Sequence, residues 1–232
     1  MLGLVVLIAT VIGMGALPAA AADPIQPGSS LMFGGSSYCT ANWVYDGVGG
    51  PYIGAAAHCT TGGVGEQVDL ATSSLGSSLG RIGQVAFVSP NFDYLLVKLD
   101  AGVLSRVSPA MAGHPDIPTG VSTPSSAQQG DLVQFSGHGI VFDFTVPTQQ
   151  QRVGILNFFQ DGYQYVLGLV TPGDSGGPVA DITDGNKALG IVDTVGVTIG
   201  FPNLNVGEGG VALYALLADA AANFQTITLR TV

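Results

Sequence analysis

The strongest constraint on how this chain can fold is its punctuation. From Ala41 onward, short apolar runs of strand length are broken repeatedly by Gly, Pro, Asn, Asp and Ser, and helical periodicity is scarce away from the two ends. A first series of expected strands comprises Ala41–Tyr45, Pro51–Ala57, Glu66–Leu70, Gly80–Val88 and Tyr94–Leu99. Ser108–Ser126, rich in Pro and Ser, reads as a linker. A second series follows: Leu132–Phe135, Ile140–Val146, Arg152–Phe159, Tyr163–Leu169, Pro178–Asp181, Ala188–Val192 and Val195–Ile199. Asp23–Gly35 reads as a polar lead-in, and Val211–Phe224, rich in Ala and Leu with few breakers, as one helix. The expectation is an all-β chain of two antiparallel six-stranded β-barrels packed together, with a C-terminal helix. The lobes would span residues 23–112 and 113–232.

Composition excludes several classes. Hydrophobic residues make up 47% of the 232 and charged residues only 9%, so the chain can build a core and does not read as disordered. The formal net charge is −10 and no basic run exists, so a nucleic-acid backbone would be repelled. Residues 1–22 carry no charged side chain. Leu2–Leu17 is apolar and Ala19, Ala20, Ala21 and Ala22 are small, the pattern of a secretory signal cut near Asp23, although no Lys or Arg precedes it. The rival reading, a membrane anchor, meets an apolar run of marginal length. A secreted, extracellular monomer without stable membrane association is expected. Cys39 and Cys59 are the only cysteines. They can form one disulfide in an oxidising compartment or stay as two buried thiols. No second Cys/His pair stands at ligand spacing, so no metal and no cofactor is expected.

The sharpest motif is Thr171-Pro-Gly-Asp-Ser-Gly-Gly-Pro178. Glycines on both sides of Ser175 permit a tight bend that can expose its hydroxyl and aim the Gly173 and Ser175 N–H groups at one point, where a carbonyl oxygen becomes an oxyanion. The bland reading is a Gly-rich surface turn with an idle serine. The run also fits Gly-x-Ser-x-Gly, the nucleophile elbow of α/β-hydrolases, but that order needs a histidine after the serine. His58, His114 and His138 all precede Ser175. A serine hydroxyl needs a base. His114 lies in the linker before Pro115, and His138 between two glycines in an apparent turn. His58 ends an apolar strand in Ala55-Ala-Ala-His-Cys59, among small residues that leave room for its ring. Asp93, leading into the apolar Tyr94–Leu99, is the candidate to orient His58, against the common alternative of a turn-forming Asp at a strand end.

Three segments now carry a resemblance: Ala-Ala-His58-Cys59, Asp93-Tyr-Leu-Leu-Val-Lys-Leu99 and Gly173-Asp-Ser175-Gly-Gly-Pro178. Together, in the order His, Asp, Ser, they resemble the chymotrypsin/trypsin family of serine endopeptidases, and its small secreted bacterial members most. The likeness spans about residues 30–200. It implies the double-barrel fold, a catalytic triad of His58, Asp93 and Ser175 in the cleft between lobes, and hydrolysis of protein or peptide substrates through an acyl-enzyme. It also implies that Cys39 pairs with Cys59, and that the base and wall of the specificity pocket fall on Leu169, Asp193 and Val195. Leu169 supplies no anion for an Arg or Lys substrate, and a small or medium apolar side chain is expected there. Bacterial relatives use an arginine to satisfy the aspartate before the serine, which puts Arg152 beside Asp174. Asp193 stands where the family places a serine close to the catalytic aspartate, and a second carboxylate there raises one pKa of the pair. The function expected is thus a serine endopeptidase. A catalytically silent protease-fold binding protein is the alternative, and an esterase or zymogen a third.

Overall fold

The computed structural model describes residues 23–145, 150–200 and 203–232, without the side chains of residues 142, 144, 145, 150, 195–200 and 203–206. The proposed signal, residues 1–22, lies outside the described residues. Two antiparallel sheets make up the fold. The first contains β1 (Ser30–Phe33), β2 (Ser37–Thr40), β3 (Val44–Gly47), β4 (Gly50–Ala55), β5 (Gln67–Ala71), β6 (Ser78–Val88) and β7 (Leu95–Leu99). The second contains β8 (Leu132–Gly137), β9 (Gln150–Gln160), β10 (Tyr163–Leu167), β11 (Pro178–Asp181), β12 (Lys187–Ile191), β13 (Thr194–Gly200) and β14 (Asn203–Val211). A short helix α1 (Ile140–Thr145) follows β8, a helix α2 (Leu213–Asn223) follows β14, and β15 (Thr228–Leu229) closes the chain. β15 returns to the first sheet, where Thr228 and Leu229 pair with Asp46 and Tyr45, so the strand order there is β15-β3-β4-β7-β6-β5-β1-β2. The second sheet runs β12-β11-β8-β9-β10-β14-β13.

The all-β, two-lobe architecture with its late helix agrees with the reading of the sequence. The strands number eight and seven, because short pieces complete the edges. β2 and β14 were not expected from the sequence, and two of its readings need correction. The lead-in Asp23–Gly35 contains β1, which pairs with both β2 and β5. Ile140–Val146, expected as a strand, begins with α1. Its apolar, β-branched start suits a strand, but tertiary bonds override it. Ile140 N–H donates to Pro172 O at 2.7 Å, and the Asp143 carboxylate accepts from Ser74 N–H (2.7 Å) and Ser74 Oγ (2.6 Å).

Period-two alternation sets the cores. On β7, Leu95, Val97 and Leu99 point into the first lobe with Leu31, Ile53, Val68 and Ile82. Leu96, on the other face, joins a second cluster with Trp43, Tyr45, Ile191, Leu213 and Leu216, drawn from both sheets and α2. Each such side chain contributes about 1.5–3 kcal/mol by leaving water. Trp43 Nε1–H also donates to Gly190 O at 3.0 Å, which ties the two sheets through a buried polar contact.

Candidate active site

His58 occupies a single 3-10 turn, Ala57–Cys59, just past β4. The next residue anchors it, because Cys59 is bonded to Cys39 of β2, with Cα atoms 6.1 Å apart. Asp93 lies in the loop before β7, and α2 holds that loop. Asp219 of α2 accepts hydrogen bonds from Ser89 Oγ (2.7 Å), Asn91 Nδ2 (2.7 Å) and Tyr94 OH (2.8 Å). Nothing in the sequence marks Asp219 for this task, since it reads as one polar residue of an apolar helix.

Asp93 meets His58 with both oxygens. Oδ1 accepts the His58 backbone N–H at 2.9 Å, and Oδ2 lies 2.6 Å from Nδ1. A carboxylate at Nδ1 selects the tautomer with the proton there and leaves Nε2 as the basic nitrogen. The same hydrogen bond raises the His58 pKa, against the opposing effect of partial burial. Burial alone would raise Asp93. The bonds from the His58 ring and backbone, its charge and Ala57 N–H outweigh it and hold the carboxyl below its ordinary value.

Ser175 sits in the turn before β11, half-buried. The following Gly176 has φ +84°, and a Cβ there would stand 2.6 Å from Ala56 N. Glycine thus lets the turn close onto the backbone two residues before His58. Ser175 Oγ makes no hydrogen bond among the described residues, so its bond to His58 is not formed in this structure. The N–H groups around it fall into two sets. Those of Asp174, Gly176 and Gly177 donate to Thr171 O, Val192 O and Asp174 O. Those of Gly173 and Ser175 donate to nothing among the described residues, which leaves this pair open for an oxyanion.

Asp174 is buried beneath the turn. Arg152 Nη2 lies 2.5 Å from Oδ1, and Thr171 N–H donates to Oδ2 at 2.8 Å. Burial still raises its pKa, with Arg152 opposing. The arginine that the resemblance points to is therefore in place.

Asp193 is buried as well. Its Oδ2 accepts Val211 N–H at 2.8 Å, while Oδ1 is buried with no partner among the described residues. Burial first, then the charge of Asp93, push its pKa well up, with Glu208 adding to the shift. Glu208 is buried on β14 and also raised by burial. Asp93 and Asp193 share a pocket of about 260 Å³ with Tyr163, Tyr165, Thr194 and Gly209. The tyrosines were missed, although their spacing of two on β10 could have placed them on one face. Leu169 is 53% exposed and does not line this pocket. Val195 starts along β13, and its side chain lies outside the described residues. His138, expected in a turn, directly follows β8 and is buried. Its buried ring faces Asp143, with Nδ1 3.2 Å from Oδ1. Cys39, His58 and Cys59 cluster at metal-ligand separation, but both sulfurs are in the disulfide, which removes the thiolates a metal would need.

No protein-family model matches this sequence, and no curated protein does. Solved structures do. The chain is similar to Thermobifida fusca protease A at 18% identity, with a TM-score of 0.62 over 90% of this chain and 100% of that one. A glutamic-acid-specific serine protease matches at 21% identity and a TM-score of 0.60, covering 89% of this chain and all (100%) of its own. An alpha-lytic protease homologue, N4, matches at 17% identity and a TM-score of 0.58, over 89% and 100% of the two chains. The fold is the chymotrypsin-like one.

Proposed function

We propose that this protein is a secreted serine endopeptidase. Ser175 is the nucleophile, His58 the general base and Asp93 the residue that orients and charges against His58. The observation that carries the reading is the two-pronged Asp93–His58 contact, 2.9 Å to the backbone and 2.6 Å to Nδ1, beside a glycine turn whose Gly173 and Ser175 N–H groups are unused.

The chemistry runs in order. A peptide lies between the lobes, residues 23–112 and 113–232. Ser175 Oγ attacks its carbonyl carbon while His58 Nε2 takes the hydroxyl proton. The Gly173 and Ser175 N–H groups bind the oxyanion, a contribution of about 2.7–4 kcal/mol per donor in comparable sites. Collapse breaks the C–N bond, and His58 returns the proton to the leaving amine. Water, deprotonated by the same nitrogen, then releases the acyl group. By the resemblance, Leu169, Asp193 and Val195 are assigned to a specificity pocket for a small or medium apolar side chain; Asp193 lines the pocket beside Asp93, and Leu169 lies outside that pocket. A fluorophosphonate should label Ser175, and casein turnover should vanish in Ser175→Ala. Folded, pure protein that neither labels nor cleaves at neutral to mildly alkaline pH sinks the proposal. Sequencing the N-terminus of exported protein checks the cut near Asp23.

One observation favours a second reading. The buried Asp193 beside Asp93 is an unusual neighbour for a working triad. It suits a catalytically silent protease-fold protein that binds peptides without cleaving them, and the Ser175 label separates the two.

A further inference from the structure

The hydrogen bonds around Ser175 leave Gly173 and Ser175 N–H open only because the intervening peptide groups are held elsewhere. The Pro172 carbonyl accepts from Ile140 N–H and the Asp174 carbonyl from Gly177 N–H, at 2.7 and 2.8 Å. The other two carbonyls converge on one residue of the first sheet, Thr40. Its N–H donates to Ser175 O at 2.9 Å, and its hydroxyl donates to Gly173 O at 2.7 Å. The same hydroxyl accepts His138 N–H at 3.0 Å. Thr40 is fully buried. With its one proton committed to Gly173 O and a lone pair committed to His138, the hydroxyl cannot rotate without breaking a bond.

Position in the chain adds to this. Thr40 follows Cys39, and His58 precedes Cys59, so the disulfide joins the neighbours of the two residues. A short path, Thr40–Cys39–Cys59–His58, thus connects the turn that carries the nucleophile to the residue that would deprotonate it. A peptide group rotates as a plane. Freeing the Gly173 carbonyl loosens the Gly173–Asp174 peptide that separates the two open N–H groups, and their convergence is lost.

We infer that Thr40 is a positioning residue of the oxyanion site, whose hydroxyl holds the Gly173 carbonyl so that the Gly173 and Ser175 N–H groups stay aimed at the same point. The inference rests on the proposed peptidase function. It calls for a loss in the chemical step and not in substrate binding. Thr40→Val keeps the shape and the backbone N–H but removes the hydroxyl. The expected result is a kcat lower by about 10- to 100-fold, the scale of one badly placed hydrogen bond in a site that works by preorganisation. KM should change by less than about twofold, and the fluorophosphonate labelling rate should fall in step with kcat, because the phosphonyl oxygen occupies the same hole. The acid limb of the pH–rate profile should stay where it is, since His58 and Asp93 are untouched. Thr40→Ser, which keeps the hydroxyl, should restore most of the rate.

If Thr40→Val does not fold, Thr40→Ala compared with Thr40→Ser reads the same difference. A hydroxyl-free variant with wild-type kcat overturns the inference. So does one in which KM and the acid limb move together with kcat, the mark of a site loosened as a whole. Wild-type protein without turnover or label overturns the proposed function instead, before any variant is compared.

Discussion

Asp93 and Asp193 face one pocket, yet their surroundings push them in opposite directions. Asp93 keeps its side chain 31% exposed and receives donors on both oxygens, so its charge is favoured. Asp193 is buried, has one donor and, among the described residues, no partner for its other oxygen, and lies next to the Asp93 charge, so its neutral acid is favoured. Asp174 shows which difference matters more. It has an arginine at 2.5 Å and a backbone donor, but it is buried and still shifts upward. Among these three carboxyls, partners outweigh burial at Asp93 alone, and the residue proposed to work as an anion is the one left partly wet.

The contrast can be broken from the Asp93 side with the largest effect. Asp93→Asn keeps the shape but offers Nδ1 the wrong group, and kcat should fall by about 10⁴-fold with the fold intact. Steady-state kinetics and a melt on the same sample check it. A loss under tenfold would mean that Asp93 is not the orienting anion.

Asp174 is tested through its counter-ion. Arg152→Met strands a buried carboxylate and should cost about 3–5 kcal/mol of stability. In urea unfolding, Arg152→Met combined with Asp174→Asn should recover part of that loss, because the two residues share one interaction.

Asp193 should show itself in the pH dependence of stability. Its folded pKa is raised, so its stabilising contribution is complete below the ordinary carboxylate value and is lost as pH rises through the folded value. Glu208 acts in the same direction. Asp93 acts in the opposite one, its contribution fading only as pH falls below the ordinary range. The wild-type Tm should therefore fall as pH rises above the ordinary carboxylate range, and Asp193→Asn should flatten that drop by a few degrees, since about 1 kcal/mol moves Tm by roughly 2–4 °C at this size. Parallel curves would show that Asp193 does not titrate against Asp93. The smallest effect is on His58. Its titration in Ser175→Ala, followed by NMR, should lie above the ordinary histidine value and fall back towards it when Asp93 is also replaced.

Local signals made some of this legible from the sequence and hid the rest. The Asp93–His58 contact involves residue types whose chemistry announces them, while the Cys39–Cys59 bridge and the Arg152–Asp174 pair were pointed to by the resemblance. Thr40 does not, because a threonine at a strand end reads as β-propensity and nothing more. β14 was missed because its glycines weaken the strand signal. Yet one of them, Gly210, is needed, since a Cβ there would overlap the Ile191 carbonyl. α1 misled because its apolar start looks extended, while what makes it helical is Ser74 and Pro172, far away in sequence.

The last strand has a consequence for how such a molecule is made. β3 is an edge until Thr228 and Leu229 arrive, and Arg230 then pairs with Asp46 and donates its N–H to Val44 O. On the ribosome, β3 emerges long before the strand that covers it, since Asp46 and its partner Arg230 are 184 residues apart in sequence. Until then it presents an open row of backbone donors and acceptors to any passing chain. A form clipped before Thr228 would therefore expose β3 and be more prone to pair with itself than the intact fold.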